Sequence, residues 1–273
     1  MLTKVEVRTA QGDLLILPLD DKSNGLLIEE IEGLDPVKAT IVSSSFAQMD
    51  GTQYQSSRRE SRNIKLRLGL EPDYVTETVR DLRSRLYGYF MPKTLVDLRF
   101  YMSDGLTVDI SGRVESFEAP LFTKEPAVNI SLLCFNPDFY DPVPVELSGS
   151  STPGSIPTIV SYDGTIETGI LFKLNVNRTM SAFSIYHQPS DGMLRTLDFA
   201  AALIAGDVVA ISTVPGFKFA TRTRTGVDTS ILYGISPQSN WIEFMPGANN
   251  IRVYATGVGV PYTIEYTDKY GGL

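Results

Sequence analysis

The sequence is poor in the residues on which many enzymes and secreted folds depend. Its 273 residues include one cysteine, one histidine and one tryptophan. A single cysteine cannot form a disulfide within the chain, which excludes a small fold held together by such bridges. One histidine and one cysteine also cannot supply the ligands of a structural zinc site. We therefore predict neither a disulfide framework nor a zinc centre.

Positive charge and long apolar runs are also scarce. The chain has 24 Lys and Arg against 32 Asp and Glu, a net charge of -8, which argues against general affinity for nucleic acid or anionic membranes. The most apolar window, Phe199 to Phe217, is broken by Gly206, Asp207 and Pro215 and is too short for a membrane span. No apolar core follows the first residues, so we expect no signal peptide and a soluble protein made in a cytoplasm.

Alternating apolar residues predict a mainly β fold. The pattern recurs in Asn63 to Leu70, in Val96 to Met102, in Leu106 to Ile110 and in Val128 to Cys134, and a period of two residues is typical of half-buried strands. Gly112 is expected to break the third run. Cys134, on an apolar strand face, is interpreted as a small buried hydrophobe and not as a reactive thiol.

One helix is predicted, from Pro72 to Tyr87. Proline is tolerated at the start of a helix, and Val75, Val79, Leu82 and Leu86 are spaced to lie on one face. Gly88 is the expected stop, and Pro92 prevents continuation. A single helix among strands indicates a flank on a β-barrel or sandwich.

Two polar segments organise the chain. Gly33 to Ser57 is long and poor in large apolar residues, so we interpret it as an extended loop or belt between subunits. Residues 141–157 are rich in Pro, Ser and Gly and indicate a linker, or a loosely held first strand of a second domain. From residue 158 onward, turn signals separate short strands, as in an antiparallel sandwich. The predicted domains are therefore 1–140 and 158–273.

Several stretches resemble siphophage distal tail proteins. In the first domain these are GRVES at 112–116, ISLLC at 130–134 and NPDFYDP at 136–142. In the second they are AGDVVAISTVPGFKFAT at 205–221 and ILYGISPQSNWIEFMPGANNIRVYA at 231–255. The resemblance implies a tail-tube-like β-barrel or sandwich with one flanking helix, followed by a galectin-like β-sandwich. No long insertion interrupts the second domain, so an arm for a receptor-binding protein is not expected.

The resemblance also implies a structural function at the tail tip of the virion. In this family a homo-hexameric ring joins the tail tube to the tip or baseplate, and DNA passes through without specific binding. The implied partners are the tail-tube protein, a tail-tip protein and a receptor-binding protein, with assembly in the bacterial cytoplasm. The alternative is a carbohydrate-binding module that recognises glycan on the host surface.

A run of basic residues is the one candidate site in the first domain. Arg58, Arg59, Arg62, Lys65 and Arg67 could form a nucleic-acid patch, a solvated strand face or a subunit contact. No aromatic residue is interleaved to stack on a base, so we favour the last two and assign Arg58, Arg59 and Arg62 to a subunit contact.

No catalytic, cofactor or metal site is predicted. His187 precedes Gln188-Pro189 and is expected to be a surface or hydrogen-bonded histidine and not a catalytic base. Trp241 could stack on a sugar, but we interpret it as an anchor at the edge of the core. The protein is therefore predicted not to be an enzyme and to need no cofactor.

Overall fold

A computed structural model describes residues 1–19, 21, 23–47, 50–120, 124–154, 156–257 and 259–273. The described residues are mainly β, with one α-helix, so the predicted fold class is confirmed. The chain divides into two compact units. Unit 1 contains Met1–Pro142 together with Gly271–Leu273, and unit 2 contains Val143–Tyr270.

Unit 1 is built on a curled antiparallel sheet with the order β2-β1-β7-β8-β9-β6-β3. The two ends of this order, β2 and β3, contact each other. Asn24 Nδ2 donates to the Ile16 carbonyl of edge strand β2 at 2.8 Å, so the sheet approaches a closed barrel. The elements of unit 1 are β1 Leu2–Thr9, β2 Leu14–Pro18, β3 Leu26–Glu32, β4 Ala39–Ser44, β5 Gln53–Arg59, β6 Arg62–Leu70, α1 Val79–Phe90, β7 Leu95–Met102, β8 Thr107–Glu118, β9 Ala127–Cys134 and β10 Phe139–Tyr140.

The apolar faces predicted from alternation form the core of this unit. Side chains of β6, β7, β8 and β9 alternate between buried and more exposed positions. Cys134 is fully buried, and desolvation raises the pKa of its thiol to about 11, which fits an unreactive core residue.

Gly112 does not end its strand, contrary to expectation. β8 runs without interruption from Thr107 to Glu118. A Cβ at Gly112 would lie 2.8 Å from Cys134 Sγ on β9. The glycine is therefore explained by close approach of the neighbouring strand and not by a break in pairing.

The helix lies later in the sequence than predicted. α1 spans Val79–Phe90, and its N-cap is Thr78 in a capping box with Asp81. Thr78 Oγ1 accepts from the Asp81 N–H, and the Asp81 side chain accepts from the Thr78 N–H. The predicted stop at Gly88 is wrong, because the helix continues to Phe90 before Pro92 ends it.

Unit 2 is a sandwich of two sheets. A six-stranded sheet has the order β11-β22-β14-β17-β18-β19, and a four-stranded sheet has the order β12-β21-β15-β16. Phe172 of the first sheet and Phe183 of the second have ring centroids 5.8 Å apart within one apolar core. The strands are β11 Val145–Ser150, β12 Thr158–Tyr162, β13 Thr168–Gly169, β14 Leu171–Asn175, β15 Met180–Gln188, β16 Arg195–Leu203, β17 Val208–Ser212, β18 Phe219–Arg224, β19 Val227–Ser230, β20 Glu243–Phe244, β21 Gly247–Tyr254, β22 Pro261–Tyr266 and β23 Lys269–Tyr270.

The predicted linker, 141–157, contains a regular strand. β11 pairs with β22 through six residue pairs, from Val145↔Tyr266 to Ser150↔Pro261. Residues 141–157 were predicted to be a linker or the first strand of a second domain, and the structure shows a strand of unit 2 in this segment. The units therefore divide the chain at Pro142 and again at Gly271, whereas the predicted domains have one boundary.

Candidate functional site

The segment interpreted as a loop or belt folds into a β-hairpin. β4 pairs antiparallel with β5, from Ala39↔Arg59 to Ser44↔Gln53. We call this hairpin, residues 39–59, the arm. Among the described residues its two strands form a sheet of their own, so the arm's outer edges carry no strand partner within this part of the chain.

The arm exposes apolar side chains along its length. Ile41, Phe46 and Tyr54 are 66%, 52% and 62% exposed. An isolated two-stranded hairpin is only marginally stable in water, and grouped exposed apolar residues mark interaction surfaces. The arm therefore has the character of a surface that a partner covers.

The base of the arm, in contrast, is closed across its two strands and joined to the body of unit 1 by an ion pair. The Glu60 N–H donates to the Lys38 carbonyl at 3.0 Å, and Thr40 Oγ1 donates to Glu60 Oε1 at 2.6 Å. Arg59 Nη1 lies 3.1 Å from Asp138 Oδ1, an ion pair in which the aspartate is almost buried. The arm is thus anchored at its base and exposed along its strands.

Arg62, one of the three predicted contact arginines, lies inside its own unit and is 1% exposed. Nε donates to the Pro137 carbonyl at 2.7 Å, and Nη1 donates to the carbonyls of Gly33 and Asp35. Nη2 donates to the Gly271 carbonyl at 2.6 Å. Arg62 is two residues before Ile64 and four before Leu66, so on β6 its side chain shares their inward face. Burial therefore argues against a subunit contact through Arg62, and the contact through Arg58 and Arg59 stays a prediction.

Gly33 approaches the start of β6 more closely than any other residue type could. Its φ is +89°, and a Cβ would lie 2.0 Å from the Asn63 carbonyl oxygen. Both the left-handed backbone and the missing side chain are therefore required here. This approach places the Gly33 carbonyl at Arg62.

We expect Gly33→Ala to destabilise unit 1 by about 1–3 kcal/mol more than Gly105→Ala. Gly105 is a matched control, because its φ is +94° but a Cβ there would meet no atom within 4 Å. The alanine at 105 costs only backbone strain, whereas the alanine at 33 must also displace β6. Urea unfolding of both variants measures the difference. Equal losses would contradict the close approach.

The last two basic residues of the run pair with acids of the same chain. Lys65 Nζ lies 2.8 Å from Glu32 Oε2, and Arg67 Nε lies 2.6 Å from Glu29 Oε2. These hydrogen bonds raise the pKa of both side chains. Lys65 and Arg67 are on the outer face of β6, as the alternation predicted. Exposed pairs of this kind add little stability but reduce the charge available to a phosphate.

Trp241 packs at the edge of the core of unit 2. It is half-buried against the main apolar cluster, and Lys218 Nζ lies 5.3 Å from its ring centroid. The prediction of a core anchor is confirmed.

His187 is fully buried, so the interpretation as a hydrogen-bonded histidine is right and a surface position is wrong. Its Nε2 lies 3.0 Å from Asn249 Oδ1. The same oxygen accepts the Met245 N–H at 3.0 Å, which assigns the Nε2–H tautomer. Desolvation lowers the pKa of His187, and nearby Arg195 lowers it further. The native imidazole is therefore neutral, as a structural core residue.

We expect unit 2 to lose stability as the pH falls below about 6.5, the ordinary histidine pKa of the unfolded chain. The pKa of His187 is lower in the folded state, so on acidification the unfolded state gains its proton first. The free energy of unfolding should therefore fall as the pH decreases through this range. His187 is the only histidine, so His187→Gln should remove this part of the slope in urea unfolding. A variant with an unchanged slope would contradict the assignment.

The described residues contain no group of three or more His, Cys, Asp or Glu side chains arranged to hold a metal ion. In the same part of the chain, no helix has the length and hydropathy of a membrane span. The feature that calls for an explanation is therefore the exposed arm. The protein is thus mainly β, with two β-rich units and an exposed hairpin arm that offers apolar side chains to a partner.

Comparisons with known proteins show which proteins this chain is similar to. Residues 163–270 match the family model described as siphovirus-type tail component, C-terminal domain. The crystal structure of the Dit protein of phage SPP1, described as a paradigm of the hub adsorption apparatus in Gram-positive infecting phages, is similar over 97% of this chain and 98% of that chain. The TM-score is 0.65 and the identity is 18%.

Other comparisons add less. A chain of the phage P2 baseplate, in its activated conformation with Ca, covers 100% of both chains with 9% identity and a TM-score of 0.49. No curated protein sequence matches this chain. The family match in unit 2 and the shared fold over the whole chain confirm the resemblance seen in the sequence. The chain is therefore similar to siphovirus distal tail proteins, in sequence over residues 163–270 and in fold over nearly its whole length.

Proposed function

We propose that this protein is the structural hub of a long, non-contractile phage tail. Six copies form a ring through unit 1, one face of the ring continues the tail tube and the other holds the tip, and DNA passes through the centre. The family match and the shared fold support a tail hub. The single observation that carries the ring is the arm, which exposes apolar side chains on a sheet of two strands.

A closed ring accounts for the arm in physical terms. When each arm lies on the next copy, the contact is heterologous, and a rotation that closes leaves no arm uncovered. Closure also covers strand edges that would otherwise promote aggregation. Arg58 and Arg59, at the base of the arm, are close to this contact and are proposed to take part in it.

The proposed partners and location follow from the place of a hub in the tail. The proposed partners are the tail-tube protein, a tail-tip protein and a receptor-binding protein, with assembly in the bacterial cytoplasm and residence at the tail tip of the virion. The protein acts by holding these parts together and not as an enzyme. The alternative, recognition of host glycan by unit 2, would be seen as binding of the whole protein to a glycan array.

Light scattering of the purified protein tests the ring directly. The expected mass is six times 30.1 kDa. A protein that stays monomeric at high concentration would contradict the ring and leave only the similarity to distal tail proteins.

We expect duplex DNA to bind weakly even at low salt. Each chain has a net charge of -8, and a ring multiplies this charge, so the field repels phosphate. Lys65 and Arg67 are already paired with acids of their own chain. An equilibrium titration should therefore give no micromolar affinity. Micromolar binding that weakens steeply with salt, and that is lost in Arg58→Ser with Arg59→Ser, would contradict the proposal.

A further inference from the structure

The buried guanidinium of Arg62 brings together three separate parts of unit 1. Two carbonyls come from the segment before the arm, Gly33 and Asp35, one from Pro137, and one from Gly271 near the end of the chain. The guanidinium also lies over the ring of Phe139, 4.4 Å from its centroid. One side chain thus donates to four backbone carbonyls from three segments.

These contacts surround the base of the arm on both sides. Gly33 and Asp35 come just before β4, and Arg62 comes just after β5, so one side chain joins the entry and the exit of the arm. The last residues of the chain add to the same junction. The Leu273 N–H donates to the Leu34 carbonyl at 3.0 Å, and Gly272 is so close to Pro36 that a Cβ would lie 2.7 Å from its ring.

Arginine suits this junction because of its geometry. The planar guanidinium has five N–H donors in a rigid fork, and hydrogen bonds to four carbonyls fix its plane relative to all three segments. A lysine ammonium has three donors on a flexible stem and cannot hold the same four acceptors. Removing the side chain abolishes all four of these hydrogen bonds, whereas the ion pair Arg59–Asp138 remains.

We propose that Arg62 is a positioning residue that fixes the direction of the arm and thereby its docking onto a second copy of this chain. The identity of the docking partner, a second copy of this chain, depends on the proposed ring. The fixed direction of the arm rests only on the contacts of Arg62. The two parts of the inference can therefore be tested separately.

A distance measurement between two spin labels tests the direction of the arm. One label is placed at Gln53→Cys on β5 and the other at Arg80→Cys on α1, both of which are exposed. The native Cys134 is buried, so labelling is selective. With labelled protein diluted in unlabelled protein, the expected result is one narrow distance, which becomes a broad distribution in Arg62→Met and in Arg62→Lys.

Two controls separate positioning from stability. Arg113→Met removes an exposed arginine that donates to the Lys93 carbonyl and should leave the distance narrow. Leu68→Ala weakens the core of the same unit six residues along β6 from Arg62 and should lower the unfolding midpoint without broadening the distance. Arg62→Lys retains the charge and serves as the test if Arg62→Met does not fold.

Light scattering of the same variants tests the second part. Loss of the oligomer together with a broad distance supports the inference. A narrow distance in a folded Arg62 variant would overturn it, as would a variant with a broad distance that assembles like the parent. If the parent protein is itself monomeric, the proposed ring fails, and the distance measurement still decides whether Arg62 directs the arm.

Discussion

A variant in which residues 41–57 are replaced by Asn-Gly is expected to stay folded and to lose ring assembly completely. Thr40 and Arg58 are partners across the arm, and Asn-Gly is the preferred two-residue connection between antiparallel strands. The replacement therefore removes the exposed strands but keeps Gly33, Asp35 and Arg62 in place. Light scattering should give the monomer mass, with an unchanged melting transition for the core of unit 1.

A point variant provides a milder version of this test. Ile41→Asp places a charge on the exposed arm, where it costs nothing in the monomer but would be desolvated in a subunit contact. The matched control is Ile159→Asp in unit 2, where the isoleucine is 71% exposed. We expect the first variant to dissociate the ring and the second to leave it intact. A shortened arm that still forms the full ring would assign assembly to another surface.

The strands of both units were largely predictable because burial on one face of a sheet imposes a period of two residues. Ile64, Leu66, Leu68 and Leu70 are buried as the alternation requires. The same period extends back to Arg62, which shares their face, but its charge suggested an exposed position. The carbonyls that make burial possible come from distant segments, and no local pattern encodes them.

Interactions between distant segments also explain the other differences. The approach of Cys134 to Gly112 is a contact between neighbouring strands, so the glycine looked like a break when only its own segment was considered. The return of Gly271–Leu273 to unit 1 has no signal in composition. The length and polarity of the arm distinguish it in the sequence, but its strand pairing has no such signal, because its strands bury almost no apolar face.

The start of the helix, in contrast, could have been read from the sequence. Thr78 followed three residues later by Asp81 is a capping-box pattern, and it marks the residue at which α1 begins. The frequent occurrence of proline in the first turn of helices favours a start at Pro72. The segment before Thr78 instead forms a separate turn, in which the Glu77 N–H donates to the Asp73 carbonyl at 2.8 Å.

Because the helix begins later than predicted, alanine substitutions along the predicted apolar face should have very different effects on stability. Leu82 is fully buried and lies against Gly25, so Leu82→Ala should cost about 2–5 kcal/mol, the range for emptying a buried leucine site. Val75 was assigned to the same face but is 91% exposed. Val75→Ala should therefore change stability by less than about 0.5 kcal/mol.

Urea unfolding of unit 1 within the full chain compares these two variants under identical conditions. Leu82→Ala should lower the midpoint without changing the slope, because the cavity affects the native state and not the surface exposed on unfolding. Val75→Ala should superimpose on the parent curve. Since Val75 lies before the N-cap, a similar loss at both positions would mean that the helix begins near Pro72 after all. A loss well under 1 kcal/mol at Leu82 would instead remove α1 from the core of its own unit.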